Sequence, residues 1–231
     1  MNIEKNIRKG IFIRRPNRFQ AYVYLDEEEV FVHVPNTGRC REILTVGTTV
    51  ILRQEDNPTR KTKYDLIAGY KEDMLINIDS QIPNKVVEEA LKHKKIGKLA
   101  YYDSIEREKT YGNSRFDFKL SNSKTGEEYY LEVKGVTYEL SGITKFPDAP
   151  TERGRKHLME LVDVKNSGRG AGVLFLIQLG NVDSFSPHDE MDKAFGDALR
   201  YANSKGVDVF AFDSIVTENS ITLNKAVEVH L

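Results

Sequence analysis

Residues 114–136 read SRFDFKLSNSKTGEEYYLEVKGV, and the fold turns on them. SRFDFKL and EYYLEVKGV are rich in aromatic and β-branched residues, as strands are. The connector SNSKTGE is polar and contains Gly126, so a hairpin is expected. Side chains two apart on a strand share a face, so Glu132 and Lys134 project together while Leu131 and Val133 face the other way. Asp117 lies fifteen residues before Glu132, on the other arm, between Phe116 and Phe118. Folding the hairpin brings its carboxylate beside Glu132. Two carboxylates and one ammonium then sit among apolar neighbours.

That set suits a phosphodiester-cleaving metal site. Mg2+ takes a few carboxylate oxygens, keeps several waters and completes its shell with substrate phosphate. A divalent cation relieves the repulsion of adjacent carboxylates and lowers the pKa of a bound water. Lys134 could orient that water or hold charge on the scissile phosphate. The spacing has a plainer reading too, an ion pair on a half-exposed sheet face with Asp117 elsewhere. The apolar flanks weigh against it, because a buried carboxylate requires a partner.

Outward from the hairpin the pattern alternates. Thr151 is placed to cap a helix through RKHLMELVDVK, with Gly168 beyond its end. GVLFLIQL is a short apolar run expected of a strand covered on both faces. Ser186-Pro187 opens a second helix, with Asp189 in its first turn and Gly206 after it, and VDVFAFD is another buried strand. Strand, helix, strand, helix, strand predicts right-handed crossovers and a partly parallel sheet. The tail from about Thr217 carries no clear pattern. Upstream, NKVVEEALKHKKI places Val86, Val87, Ala90 and Leu91 on one helical face, with Asn84 as a plausible cap.

Before Pro83 the character changes. IFIRR, FQAYVYL, VFVHV, GTTVILR and YDLIAGY read as five short strands between turn signals, which suggests a small barrel of OB type, with a small sandwich as the competing architecture. The division expected is 1–82 and 83–231, each half long enough to bury a core.

The 231 residues carry a formal net charge of -1, so affinity for nucleic acid would have to come from local patches. Between Lys5 and Leu25 stand Lys5, Arg8, Lys9, Arg14, Arg15 and Arg18 with no acidic residue. Arg60, Lys61 and Lys63 cluster in DNPTRKTK, with Arg53 before them, and Arg39 follows the turn at Asn36-Thr37-Gly38. Such residues give affinity for phosphates without sequence information. Tyr22, Tyr24 and Phe31 are either core residues or stacking platforms for bases. Arg153, Arg155, Lys156 and His157 open the helix after Thr151 and could add phosphate contacts. The five histidines show no metal-ligand spacing. Cys40 is the only cysteine, which excludes an internal disulfide and a cysteine-based zinc cluster. No apolar run approaches a membrane span, and a cytoplasmic location is the simplest expectation.

NRFQAYV, HVPNTGR, DNPTRKT, YGNSRFDF, YLEVKGVT, FPDAPTERGRKHLMEL and FSPHDEMD, in that order, resemble the sugar fermentation stimulation protein A (SfsA) family over most of the chain. The resemblance implies an N-terminal OB-like domain and a C-terminal α/β domain like the PD-(D/E)XK nucleases, with a mixed sheet. It also implies sequence-nonspecific DNA binding and a link to maltose metabolism as a regulator. In the nuclease-like pattern Asp117 matches the first acid, Glu132 the second and Lys134 the lysine; Phe116 stands where the superfamily's name has proline. Such domains often carry a further acid on the first helix. Glu89 is the expected position, beside Glu88, with Glu106 and Glu108 as rivals.

The implied site comprises Asp117, Glu132 and Lys134 as catalytic residues, with Mg2+ or Mn2+ on Asp117, Glu132 and Glu89. DNA, or RNA, would lie against Arg14, Arg15, Arg18, Asn36, Arg39, Arg60, Lys61, Lys63, Arg155 and Lys156. Two functions compete: a metal-dependent nuclease, or a DNA-binding regulator of sugar metabolism that keeps the fold without turnover. A sugar-pathway enzyme finds no supporting phosphate loop or carboxylate pair.

Overall fold

The computed structural model describes residues 1–3 and 6–231; Lys5, a member of the first basic cluster, lies outside the described residues. The N-terminal strands are β1 (Ile7–Asn17), β2 (Gln20–Leu25), β3 (Glu28–His33), β4 (Thr49–Gln54), β5 (Tyr64–Lys71) and β6 (Met74–Asn77). Their order is β3-β2-β1-β4-β5-β6, and an additional β3–β5 pairing at His33 and Asp65 closes the first five into a barrel. That connectivity is the five-stranded OB barrel. Alternation drives it: in β2, Ala21, Val23 and Leu25 are buried and their neighbours face outward. β6 extends β5 beyond the five strands expected.

The second part runs α1 (Ile82–Lys92), a 3-10 turn (Gly97–Tyr101), β7 (Ser104–Tyr111), β8 (Ser114–Ser121), β9 (Glu128–Val136), β10 (Tyr138–Leu140), β11 (Ile143–Phe146), α2 (Glu152–Asn166), β12 (Gly170–Ile177), β13 (Ser184–Pro187), α3 (Asp189–Ser204), β14 (Asp208–Thr217), β15 (Ser220–Ala226) and β16 (Glu228–Val229). Its main sheet has the order β15-β14-β12-β9-β8-β7. β9, β12 and β14 run parallel to one another, while β7, β8 and β15 join antiparallel, so the sheet is mixed as expected. A second sheet, β10-β11-β13-β16, was not foreseen; its strands of two to four residues are too short to show a period. Ser186 and Pro187 end β13 instead of opening the helix, which starts one residue later than His188.

Two layers cover the main sheet. On one face α1 packs Val86, Val87, Ala90 and Leu91 against Phe118, Leu131 and Leu174. The valine, leucine and phenylalanine side chains among these each contribute about 1.5–3 kcal/mol when fully buried. On the other face Leu158, Leu161, Phe195 and Leu199 of α2 and α3 meet Phe116, Val173 and Phe175, and this cluster continues into the barrel core. Thr151 caps α2, accepting from the Gly154 N–H at 3.0 Å. Gln81, not Asn84, is the residue before α1, and Pro83 occupies its first turn.

Candidate active site and basic surface

The β8–β9 ladder pairs Ser121 with Glu128, Leu120 with Tyr129, Lys119 with Tyr130 and Phe118 with Leu131, and stops there. One step further the register sets Asp117 opposite Glu132. At that step the strands no longer exchange backbone bonds. The Asp117 carboxylate takes over instead: Oδ2 accepts from the Val133 N–H at 2.7 Å, and Oδ1 accepts from Asn84 Nδ2 on α1 at 2.7 Å. The loss of the ladder and the acid in the gap are one event. A carboxylate has replaced a backbone acceptor and is held from two sides.

Glu132 is buried, at 4% exposure. Its Oε1 accepts from Lys134 Nζ at 2.6 Å and from His157 Nδ1 at 2.5 Å. Its Oε2 is buried and has no hydrogen-bond partner among the described residues. An unsatisfied carboxylate oxygen away from water is costly, so a ligand for it is a physical expectation. Burial, then the Glu132 charge, push the Asp117 carboxyl up to about 6, against the bonds from Val133 and Asn84 and the field of Lys134. Glu132 moves the other way. Burial raises it, but the His157 bond and the Lys134 charge outweigh that and hold it below the ordinary carboxylate range. Two neighbouring carboxyls separated in this fashion are a recurring signature of reactive sites.

The third acid is not where it was expected. Five residues along α1 from Asn84 amount to about 7.5 Å of rise and about 140° of rotation, so Glu89 leaves the face that Asn84 shares with Asp117. Its carboxylate pairs with the amino group of Met1 at 2.7 Å. Glu88 is tied to Lys92 and Arg107, Glu106 to Lys109, and Glu108 to Arg115. No group of three or more His, Cys, Asp or Glu side chains suited to a metal gathers among the described residues. The protein offers two carboxylates and an amide here. Sequence reasoning placed His157 among phosphate contacts; it is buried, at 6% exposure, and serves Glu132 instead. Spacing six residues into α2 gives no hint of this, because only the packing of α2 on the sheet chooses its partner.

The basic residues divide sharply. Arg14 forms a two-pronged pair with Glu29 at 2.9 and 2.6 Å and lies over the Tyr22 ring at 3.9 Å. Tyr22 packs on Phe31, so these two are not open platforms, whereas Tyr24 is 48% exposed. Arg15 donates to the carbonyls of Arg18, Asn36, Gly38 and Arg39 at 2.5–2.8 Å, and Asn36 spends its side chain on the Ile78 carbonyl and the Gly38 N–H. Both hold a loop in shape. Arg60 pairs with Asp65 at 2.5 Å and approaches Glu55, and Arg53 reaches Glu55, Asp65 and Asp79, each at 2.9 Å. The expected phosphate role of Arg60 is therefore already taken by carboxylates. Lys61 and Lys63 are exposed, and Lys63 lies over the Tyr64 ring. Arg155 and Lys156 only approach Asp192 and Glu160, at 3.9 and 3.8 Å. Arg18 and Arg39 are exposed and form no ion pair among the described residues.

The family model described as SfsA N-terminal OB domain matches residues 13–78, and that described as Sugar fermentation stimulation protein RE domain matches residues 81–220. Sugar fermentation stimulation protein homologs of Clostridium tetani and Clostridium botulinum are 68% and 65% identical over 231 residues, covering 100% of this chain and of each relative. The solved structure of Pyrococcus furiosus SfsA in complex with Ca2+ is 26% identical, covers 100% of both chains and superposes with a TM-score of 0.89.

Proposed function

The chain belongs to the sugar fermentation stimulation protein family, and we propose that it is a nucleic-acid-binding protein with a site for divalent-metal-dependent phosphodiester hydrolysis. Residues 1–82 form the binding domain in this reading and residues 83–231 the reacting one. The observation that carries it is the buried Oε2 of Glu132, without a hydrogen-bond partner among the described residues and next to an Asp117 whose carboxyl is pushed up to about 6.

Those donors fit Mg2+ or Mn2+. Such ions are held by one or two carboxylates, with waters and substrate phosphate filling the remaining positions, so a third protein acid is not required. The Ca2+ in the Pyrococcus furiosus relative supports a divalent ion in this fold. When bound, the ion would stabilise charge on the phosphoryl oxygens and acidify a water.

The chain's own residues do the rest. Asn84 and the Val133 N–H orient Asp117 so that it enters the site at a fixed angle. His157 keeps Glu132 Oε1 occupied, which leaves Oε2 directed at the ligand. Lys134, partly exposed at the site's mouth, exchanges its bond to Glu132 for an oxygen of the scissile phosphate. No covalent intermediate on the protein is needed.

A second reading has an observation of its own. Lys134 and His157 both close on Glu132 Oε1, so the cluster is nearly satisfied without a substrate, as a binding protein linked to sugar metabolism would allow. Cleavage assays with single-stranded and duplex DNA and with RNA, varying Mg2+ and Mn2+, separate the two. We expect metal-dependent cleavage that Asp117→Ala and Lys134→Ala each abolish while binding is retained. Intact substrates across a broad pH range with either metal would retire the enzyme.

A further inference from the structure

A cavity of about 830 Å³ opens between the barrel and the α/β part, a volume within the range of small-molecule sites. One wall is the β5–β6 hairpin, with Tyr70, Asp73 and Met74. The other is the chain after β12, at Gly180 and Asn181, and the end of β14 with its turn into β15. Neither Asp117, Glu132 and Lys134 nor any residue of the basic clusters reaches it. It lies beyond the carboxyl ends of β12 and of the parallel part of β14, where open α/β sheets bind ligands.

The walls are set before anything arrives. The Ser214 N–H donates to the Leu179 carbonyl at 3.1 Å, and a Cβ on Gly180 would lie 2.9 Å from the Ser214 carbonyl oxygen. Only a glycine lets the two chains meet there. Asn181 beside it stands at φ 59°, a left-handed backbone that asparagine tolerates. Across the cavity the Tyr70 hydroxyl donates to Glu218 Oε1 at 3.2 Å, and Lys9 Nζ reaches the same oxygen at 2.6 Å. Thr217 Oγ1 donates to Asn219 Oδ1 at 3.0 Å and holds the turn. Little ordering entropy then remains to be lost on binding.

The chemistry of the walls is selective. No lysine, arginine or histidine stands in them, whereas Asp73 and Glu218 do, so a phosphate or other anion would enter against like charge. Lys9 already offsets Glu218, and Asp73 is exposed to water, which leaves little field to hold a cation. What remains is uncharged and two-sided. The side-chain amides of Asn181 and Asn224 make no hydrogen bond among the described residues, and each offers both donors and an acceptor. Ser214 is fully buried in the wall, and its Oγ has no hydrogen-bond partner among the described residues. A buried hydroxyl left unpaired is costly, which argues for a partner that the chain does not supply. Tyr70, Met74 and Ile215, the last 55% exposed, add apolar surface beside these groups. A sugar ring presents the matching mixture: hydroxyls that donate and accept around its edge, and C–H groups on its faces.

We propose that this cavity binds a neutral saccharide of one or two rings, with Asn181, Asn224 and Ser214 as its hydrogen-bond partners and Tyr70 and Ile215 against its C–H faces. The site bridges the two domains and goes beyond the nuclease reading without resting on it.

Backbone amide NMR spectra of the full chain test it, in titrations with glucose, galactose, mannose, cellobiose, lactose and trehalose. Glucose 6-phosphate and spermidine serve as charged probes. At least one neutral sugar gives saturable shifts at residues 70–75, 180–181 and 214–224 and leaves residues 117 and 132–134 in place. At about ten times its dissociation constant that sugar raises the melting temperature by about 3–6 °C. Asn181→Gly combined with Asn224→Ala removes two amides that hold nothing within the chain, so the free variant melts like the wild type. It binds the sugar at least about fivefold more weakly, as the loss of two hydrogen bonds requires.

The absence of saturable shifts with every neutral sugar overturns the site. Tighter binding of glucose 6-phosphate or of spermidine overturns the neutral ligand. A double variant with wild-type affinity overturns the placement in this cavity. The nuclease reading uses none of these residues and stands whichever way the titrations fall.

Discussion

At the residue scale, Asp117 sets function against stability. Its carboxyl is raised from an ordinary 3.8 to about 6, first by burial and then by Glu132. Between those values the folded chain keeps a proton that the unfolded chain has released, so stability falls as pH rises through the window and stays lower above it. The full effect is at most about 3 kcal/mol. Asp117→Asn removes that slope. In EDTA the variant should gain in melting temperature over the wild type near pH 8 and lose the gain near pH 4, while cleavage is abolished. A constant difference at both pH values would mean that Asp117 does not titrate in this window. His157→Ala should leave binding of nucleic acid intact and weaken metal-dependent activity about 10- to 100-fold, the range for residues that orient a ligating group. A metal titration of the cleavage rate would read it.

Among elements, the β8–β9 hairpin was the most legible part, because alternation, a polar connector and the fifteen-residue separation all agree on one register. Phe116 and Phe118, on either side of Asp117, are fully buried, each in a different hydrophobic cluster. Phe116→Ala should cost about 3–5 kcal/mol in urea unfolding, as for other buried aromatic truncations. The Asn36–Arg39 loop shows what spacing could not reveal. Arg15 reads as a cation for phosphate, yet five N–H donors suit carbonyls equally well, and only the loop's path decides. Arg15→Met should destabilise by about 2–4 kcal/mol, because charge-assisted bonds of about 1.5–3 kcal/mol each are lost together. It should also release the loop, seen as faster hydrogen exchange across residues 36–41. Unchanged exchange there would show that the loop holds itself. The small sheet of β10, β11, β13 and β16 escaped notice for a related reason. Its pairing is between short segments far apart in the chain, and no local pattern encodes it.

For the whole molecule, the barrel and the α/β part behave as one body. Asn77 donates its backbone N–H to the Gln178 carbonyl at 3.0 Å, and Gln178 Nε2 returns a bond to Asn77 Oδ1 at 2.9 Å. Lys71 reaches the buried Glu139 at 2.5 Å, and a hydrophobic cluster runs through the junction. Unfolding followed in the barrel and in the sheet should therefore coincide. Gln178→Leu, which removes the bonds from Gln178 Nε2 to Asn77 Oδ1 and to the Asp79 carbonyl, should lower stability by about 1–3 kcal/mol and shift both probes together. Two separated transitions would refute the shared core. No helix among the described residues is long and apolar enough to cross a membrane.

From sequence alone came the two kinds of domain, the hairpin, and the pairing of Asp117 with Glu132 and Lys134. The domains and the hairpin rest on local periodicity and turn signals; for Asp117 spacing left a plain ion pair elsewhere open, and the ordered blocks of family resemblance pointed to the three residues together. Tertiary structure decided the remainder: that Asn84 and not Glu89 meets Asp117, that His157 serves Glu132, and which arginines are taken by carboxylates or carbonyls. The reason is that charge partners are chosen across gaps between elements, where a helix turn of about 100° per residue or the path of a loop moves a side chain from one neighbour to another. Periodicity says which face a residue occupies; only packing says what that face meets.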